Sequence, residues 1–136
     1  MSMRLSVITT FWVVVGLMVG VGQLTRVLLA HLIEINYYLA FSIALPSPVI
    51  FGVIILFLVS MIWLFYTKCQ LGLSWAVALG LIVGGGISNF CDRLLLSGGV
   101  ADYWRILDLS AINLPDIAIV IGIIWAIYLL TTSHGA

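Results

Sequence analysis

The sequence predicts an all-α integral membrane fold, with four transmembrane helices in a single membrane-embedded domain over residues 1–136 and a small β or loop element between helices 1 and 2. Three observations predict it. Hydrophobic residues make up 64% of the chain and charged residues 7%, against about 45–50% and about 25% in soluble domains. The mean hydropathy is +1.31. Apolar runs of about 20 residues, the length that crosses a bilayer, recur between short polar connections. Formal net charge is zero and no basic run occurs, so nothing points to nucleic acid or to electrostatic capture by anionic lipid.

Residues 5–24 form the first run. A cleaved signal peptide has a shorter apolar core, roughly 7–15 residues, so this run reads as an uncleaved first helix. Gly16 and Gly20 lie four apart on one face and predict close packing there. Gln23, Thr25 and Arg26 close the helix with polar side chains. Residues 31–48 are mixed, and their aromatic and β-branched content suits extended structure. Within them, Tyr37 and Tyr38 suit a membrane–water interface, and Pro46 and Pro48 stop regular structure before the second span.

That second span covers residues 49–66 and carries no charge. Lys68 and Gln70 mark a tight turn, so the second and third spans form an antiparallel hairpin, with Trp63, Tyr66 and Trp75 as an aromatic belt. The third span runs from residue 71 to about residue 90, with Gly80, Gly84, Gly85 and Gly86 as its small-residue face. The fourth runs from about residue 113 to 130. Four spans place both termini on one side. Arg4 and Lys68 on that side, against Arg26, Arg93 and Arg105 on the other, leave the orientation open.

Polar chemistry concentrates in residues 84–116, as Asn89-Phe-Cys-Asp92-Arg93, Val100-Ala-Asp102-Tyr103 and Asn113-Leu-Pro-Asp116. Ionisable groups at or near membrane depth are costly to keep and mark function by default. Each cluster also has an ordinary reading. Asn89, Asp92 and Arg93 share a helix face, and Asp92 with Arg93 could be an ion pair at the end of a span. An Asn three residues before an Asp, with Pro in the first turn, is a helix-start signature. Asp102 has no such reading. Asp102 and Asp116 flank a connection that must return to the membrane, so the two can meet. A pair of carboxyls sharing one proton is the aspartyl-protease arrangement, in which one activates water and the other protonates the substrate.

Other chemistry finds less support. No serine or cysteine has an identifiable base for acyl-enzyme formation. Cys69 and Cys91 lack metal-ligand spacing, lie near opposite membrane faces and read as apolar fillers. His31 and His134 are too far apart to join them in a zinc cluster, so neither a metal nor a cofactor is expected. A proton or cation relay would need a polar file through the membrane, and spans two and four carry almost no polar residues in their cores.

The run Gly84-Gly85-Gly86-Ile-Ser-Asn89-Phe-Cys-Asp92-Arg93, followed by Val100-Ala-Asp102-Tyr103 and Ile112-Asn113-Leu-Pro-Asp116, resembles the signature of the lipoprotein signal peptidase (signal peptidase II) family. Gln23-Leu-Thr25-Arg26 resembles the family's first-helix Asp-Gln-x-Thr-Lys, and Asn36-Tyr-Tyr-Leu-Ala40-Phe41-Ser42 its Asn-x-Gly-x-Ala-Phe-Ser segment. The resemblance implies a four-helix aspartyl endopeptidase of the bacterial cytoplasmic (inner) membrane. Both termini would be cytoplasmic, with the β element on the extracytoplasmic side. Its substrates would be prolipoproteins, cut just before a diacylglyceryl-modified cysteine. The catalytic pair falls on Asp102 and Asp116, while Asn36, Asn89, Asp92, Arg93 and Asn113 fall on positions that shape the site or hold substrate.

Departures from the family pattern are Gly22 for Asp, Arg26 for Lys, Tyr38 for Gly, Ser88 for Gly and Pro115 for Ala, and a shorter connection from Asp102 to Asp116. They keep open a catalytically impaired relative that binds lipidated or signal-peptide segments without cutting them. Within the pair, Asp116 opens a helix, where unpaired N–H groups favour a carboxylate, whereas Asp102 sits in the preceding connection against apolar surroundings. The expectation is that Asp116 is ionised and activates water while Asp102 carries the proton.

Overall fold

The computed structural model describes residues 2–39, 43–106 and 110–133. Ala40, Phe41 and Ser42 of the second motif, Asp108 and His134 lie outside the described residues. Four helices are long and apolar enough to cross a membrane: α1 (Ser2–Leu28), α2 (Ser47–Lys68), α3 (Leu73–Leu95) and α4 (Leu114–Ser133). In hydrocarbon every backbone polar group must be satisfied within the segment, which selects helix whatever the β-branched content. Pro46 caps α2 and Pro48 sits in its first turn, where a missing N–H leaves no bond unmade. A 3-10 turn at Cys69–Leu71, closed by Gly72 at φ 104°, joins α2 to α3 as the expected hairpin. The third helix continues past Phe90 to Leu95 because its polar last turns are held by other elements, as described below.

Four three-residue strands accompany the helices: β1 (Glu34–Asn36), β2 (Val100–Asp102), β3 (Trp104–Ile106) and β4 (Ser110–Ile112). β1 pairs antiparallel with β2, setting Glu34 opposite Asp102 and Asn36 opposite Val100. β3 pairs with β4, Trp104 opposite Ile112. Among the described residues, the extended element expected between the first two helices contains the short strand β1, whose partner comes from the α3–α4 connection. A strand cannot satisfy its own backbone, so β1 needs a donor–acceptor row from elsewhere. Asp102, read from sequence as a loop residue, is the last residue of β2.

α3 is the central helix. Its residues from Trp75 to Arg93 are largely buried, whereas α1, α2 and α4 turn Leu17, Leu56, Val59, Ile124 and similar side chains outward, toward lipid. Glycine makes this possible. A Cβ on Gly84 would lie 2.6 Å from Met18 Cβ of α1, one on Gly85 2.5 Å from Pro115 O of α4, and one on Gly86 2.8 Å from Leu58 of α2. Three consecutive glycines thus admit three different helices, close approach replacing the hydrophobic drive that lipid removes. Gly16 and Gly20, expected to pack, have nothing within 4 Å and face outward. The close contact of α1 is made instead by Val14, Val15 and Met18 against Gly80 and Gly84.

Trp75 also departs from expectation. It is 5% exposed and belongs to the core with Phe11 and Phe65, whose rings stack 3.8 Å apart. Only Trp63 and Tyr66 of the expected aromatic belt are exposed. Trp75 lies in the first turn of α3, the one helix surrounded by the others, so it meets protein rather than interface.

Candidate active site

The start of α4 builds the first half of the site. Asn113 Oδ1 accepts the Asp116 backbone N–H at 2.9 Å, and Asp116 Oδ2 accepts the Asn113 N–H at 3.2 Å. This reciprocal pair is the helix-start signature read from sequence, and it satisfies donors that an N-terminus leaves open. It does not exhaust either side chain. Asp116 Oδ1 accepts a 2.7 Å bond from Asn89 Nδ2 of α3. Asn113 Nδ2 donates to Asp102 Oδ1 at 2.9 Å and to Asn89 Oδ1 at 3.1 Å. A cap that serves only its helix would end at the backbone. Here it ties both aspartates to one asparagine that is 1% exposed.

The second half comes from the β1–β2 pair. Asp102 is 2% exposed and its Oδ2 accepts a 2.9 Å bond from Asn36 Nδ2 of β1. Tyr38 N–H in turn donates to Asn36 Oδ1, which fixes the amide with its donor toward Asp102. Burial pushes the Asp102 carboxyl up to about 6 from 3.8, working against the Asn36 donor. The charge of Asp116 adds to the rise, and Asn113 and Arg93 oppose it. A carboxyl buried beside a second carboxyl, with each oxygen held by an amide, can keep a proton near neutral pH and hand it on.

Asp92 and Arg93 do not pair with each other. Asp92, 4% exposed, accepts Gln23 Nε2 at 2.9 Å on Oδ1 and the Ala101 backbone N–H at 3.1 Å on Oδ2. Arg26 Nε lies 3.3 Å from Asp92 Oδ1 as its ion partner. Adjacent residues on a helix diverge by about 100°, so Arg93 points elsewhere. Its guanidinium donates to Gly98 O at 2.6 Å and Tyr38 O at 2.7 Å. Asp92 therefore pins β2 to α3 and α1, and Arg93 pins the segment after β1 to the α3–β2 turn.

All seven residues singled out from sequence meet in this network. Four others were read only as helix-closing or motif residues. Gln23 also donates to Ser88 O and Ser88 Oγ, Arg26 faces Asp92, and Thr25 and Tyr103 lie 3.0 Å apart through their hydroxyls. The signal for the α1 members was present: Gln23 and Arg26 stand three apart, on one face of an otherwise apolar helix. Among the described residues no group of His, Cys, Asp and Glu could hold a metal ion. Cys69 and Cys91 are both free, and 22 positions along α3 and its preceding turn separate them by about 33 Å.

Comparison with known proteins agrees with this geometry. The family model for signal peptidase (SPase) II matches residues 3–132. A lipoprotein signal peptidase of Leifsonia xyli is 35% identical over 122 residues, covering 85% of this chain and 54% of that protein. One from Streptomyces griseus is 35% identical over 88 residues, 61% of this chain and 44% of its own length. The chain thus spans about half the length of these curated relatives. A solved bacterial membrane enzyme superimposes with a TM-score of 0.81 at 25% identity, over 94% of this chain and 91% of that one. With a match that runs through all four helices and the three connections between them, the chain belongs to the signal peptidase II family.

Proposed function

We propose that this protein is an aspartyl endopeptidase of the bacterial cytoplasmic membrane that removes the signal peptide from prolipoproteins just before their diacylglyceryl-modified cysteine. The observation that carries the reading is the single buried Asn113 side chain bonded both to Asp102 and to the Asp116 backbone, with the Asp116 charge acting on Asp102. Structural caps and ion pairs do not account for it. Asp102 has no cation within the network bonded to it, and its burial is a cost that folding alone does not require.

In this mechanism Asp102 holds the shared proton and Asp116 the charge. Asp116 accepts a proton from water as the oxygen adds to the scissile carbonyl carbon, and Asp102 donates its own to the carbonyl oxygen. The tetrahedral diol then collapses: the C–N bond breaks, the nitrogen takes the proton held by Asp116, and Asp102 recovers one from the diol hydroxyl. The dyad is coupled, so its titration belongs to the pair. Asn36, Asn89 and Asn113 keep both carboxyls oriented, and Asp92 and Arg93 hold the strands that carry them. No metal or cofactor enters these steps. Substrate reaches the site from lipid, its signal segment lying against the helices, while both termini of the enzyme are cytoplasmic and the strands extracytoplasmic.

A gel-shift assay on a diacylglyceryl prolipoprotein tests this. Wild type should release the signal peptide, and Asp102→Asn and Asp116→Asn should each abolish release while still inserting. Binding without a cleavage product by the wild type would overturn the reading in favour of a non-cutting relative.

A further inference from the structure

Leu114 opens α4, so its N–H has no acceptor within the helix. It donates instead to Tyr103 Oη at 2.8 Å. The same oxygen lies 3.0 Å from Thr25 Oγ1 of α1. Thr25 has one hydroxyl proton and gives it to Gly22 O at 2.9 Å, so Tyr103 must be the donor to Thr25. The ring is 8% exposed, and the Tyr103 backbone N–H is bonded to Ile112 O at 3.1 Å. Tyr103 is thus held at both ends, directly after Asp102 and two residues before Asp116 across the contact it makes with Leu114. None of the steps of peptide cleavage uses its hydroxyl.

We propose that Tyr103 is a positioning residue whose hydroxyl fastens the first turn of α4 to α1 and so sets the placement of the Asp116 main chain relative to Asp102. This rests on the proteolytic reading above. The chain from Tyr103 to Leu114 leaves β2, forms the β3–β4 pair and returns to the membrane, and among the described residues the bond at Ile112, the Asn113–Asp102 bond and this hydroxyl close it at its base. Phenylalanine keeps the ring and its edge contact with Trp104, at 4.9 Å, yet leaves the part-buried Leu114 N–H without its acceptor. The fault alters the seating of the first turn of α4, which carries Asp116, and removes no group that the proposed function assigns to holding substrate. The turnover rate should therefore suffer and substrate affinity should not.

Four variants of the full chain in detergent–lipid micelles decide it: Tyr103→Phe, Thr25→Val, Thr25→Ser and the Tyr103→Phe/Thr25→Val double. Expected for Tyr103→Phe is a kcat lower by about tenfold with KM within about twofold, since a stranded part-buried donor is worth that much. Thr25→Val should lose about threefold, Thr25→Ser should keep wild-type kcat, and the double should be no slower than Tyr103→Phe alone, because both substitutions cut one chain of bonds. Hydrogen exchange at the Leu114 amide reads the same contact without turnover, and protection should fall in Tyr103→Phe. Unchanged kcat in Tyr103→Phe, a loss in KM alone, or a fully protected Leu114 amide would overturn the inference. A wild type that leaves prolipoprotein uncut removes the proposed function, while the exchange measurement still decides the role of Tyr103.

Discussion

Replacing Asp92 by Asn tests whether a charge, rather than a shape, holds β2 in place. Asp92 presents two acceptor oxygens, one to Gln23 and Arg26 and one to the Ala101 N–H. Asparagine has a single oxygen. With that oxygen on Ala101, its NH2 faces the Gln23 amide and the Arg26 guanidinium, donor against donor. A lost bond to a charged group is worth about 1.5–3 kcal/mol. The unpaired guanidinium adds less than the 3–5 kcal/mol of a fully buried pair, because the Arg26 side chain is 23% exposed and water reaches it. The sum is about 2–4 kcal/mol, a fall in Tm of roughly 5–15 °C for a domain of this size. In a Cys91→Ala background, Cys69, 3% exposed, provides the assay, since a thiol-reactive fluorophore labels it only as the helices separate. Arg93→Gln should leave the Asp92 contacts intact, so adding it to Asp92→Asn should give an additive loss. A fall in Tm below about 2 °C for Asp92→Asn would refute the claim that its charge is used, and a strongly non-additive Asp92/Arg93 double would restore the direct pair.

Three further outcomes follow from the same geometry. Because burial raises Asp102 to about 6, cleavage that needs its proton should decline as pH rises through about 6; the sign for stability is the same, its contribution being complete below 3.8 and lost as pH climbs through about 6, and a kcat profile flat from pH 5 to 8 would contradict the assignment. Arg93→Lys keeps the charge but not the two-pronged fork that reaches Gly98 O and Tyr38 O, so most activity should go while insertion persists, and full activity would show that a point charge suffices. Gly22→Asp should lower stability by about 1–3 kcal/mol through overpacking against Ser88 and Pro115, with Ser88→Gly restoring much of the loss; an unaltered melt for the single variant would show that α1 can shift away.

Four spans, the hairpin and the helix start at Asn113 were legible because each has a local cause: run length, a polar turn, a capping pattern. Asp92 with Arg93 was not, since neighbours in sequence lie on different sides of a helix and the choice of partner belongs to the fold. The β1–β2 pairing was hidden for a related reason. Its two strands lie 66 positions apart at the Asn36–Asp102 bond, and three residues are too few to show a period. Gly16 with Gly20 and Gly80 with Gly84 have the same spacing and both read as packing faces, yet only the latter pack. Composition marks where a backbone can be approached, and only the neighbouring helix decides where it is.

Three of the positions at which the chain departs from its family's pattern, Gly22, Ser88 and Pro115, lie where three helices meet. A Cβ on Gly22 would lie 3.0 Å from Pro115 Cγ and 3.1 Å from Ser88 Cβ. The missing side chain on α1 is therefore matched by added atoms on α3 and α4, at the same point in space. Ser88 also puts its hydroxyl to use, accepting Gln23 Nε2 at 3.2 Å beside the bond that Gln23 makes to Asp92. An aspartate at position 22 would set a carboxyl against Ser88 and Pro115, on the helices that carry Asp92 and Asp116, and a glycine there removes that charge. Read singly, each departure counts against a working site. Read together, they are one exchange of volume in a close-packed contact, where compensating changes are tolerated best. None of the three side chains bonds to Asp102 or to the Asp116 carboxyl, whose partners are asparagines that the departures leave in place. The contact that differs therefore leaves untouched every group bonded to the carboxyl pair on which the proposed cleavage depends.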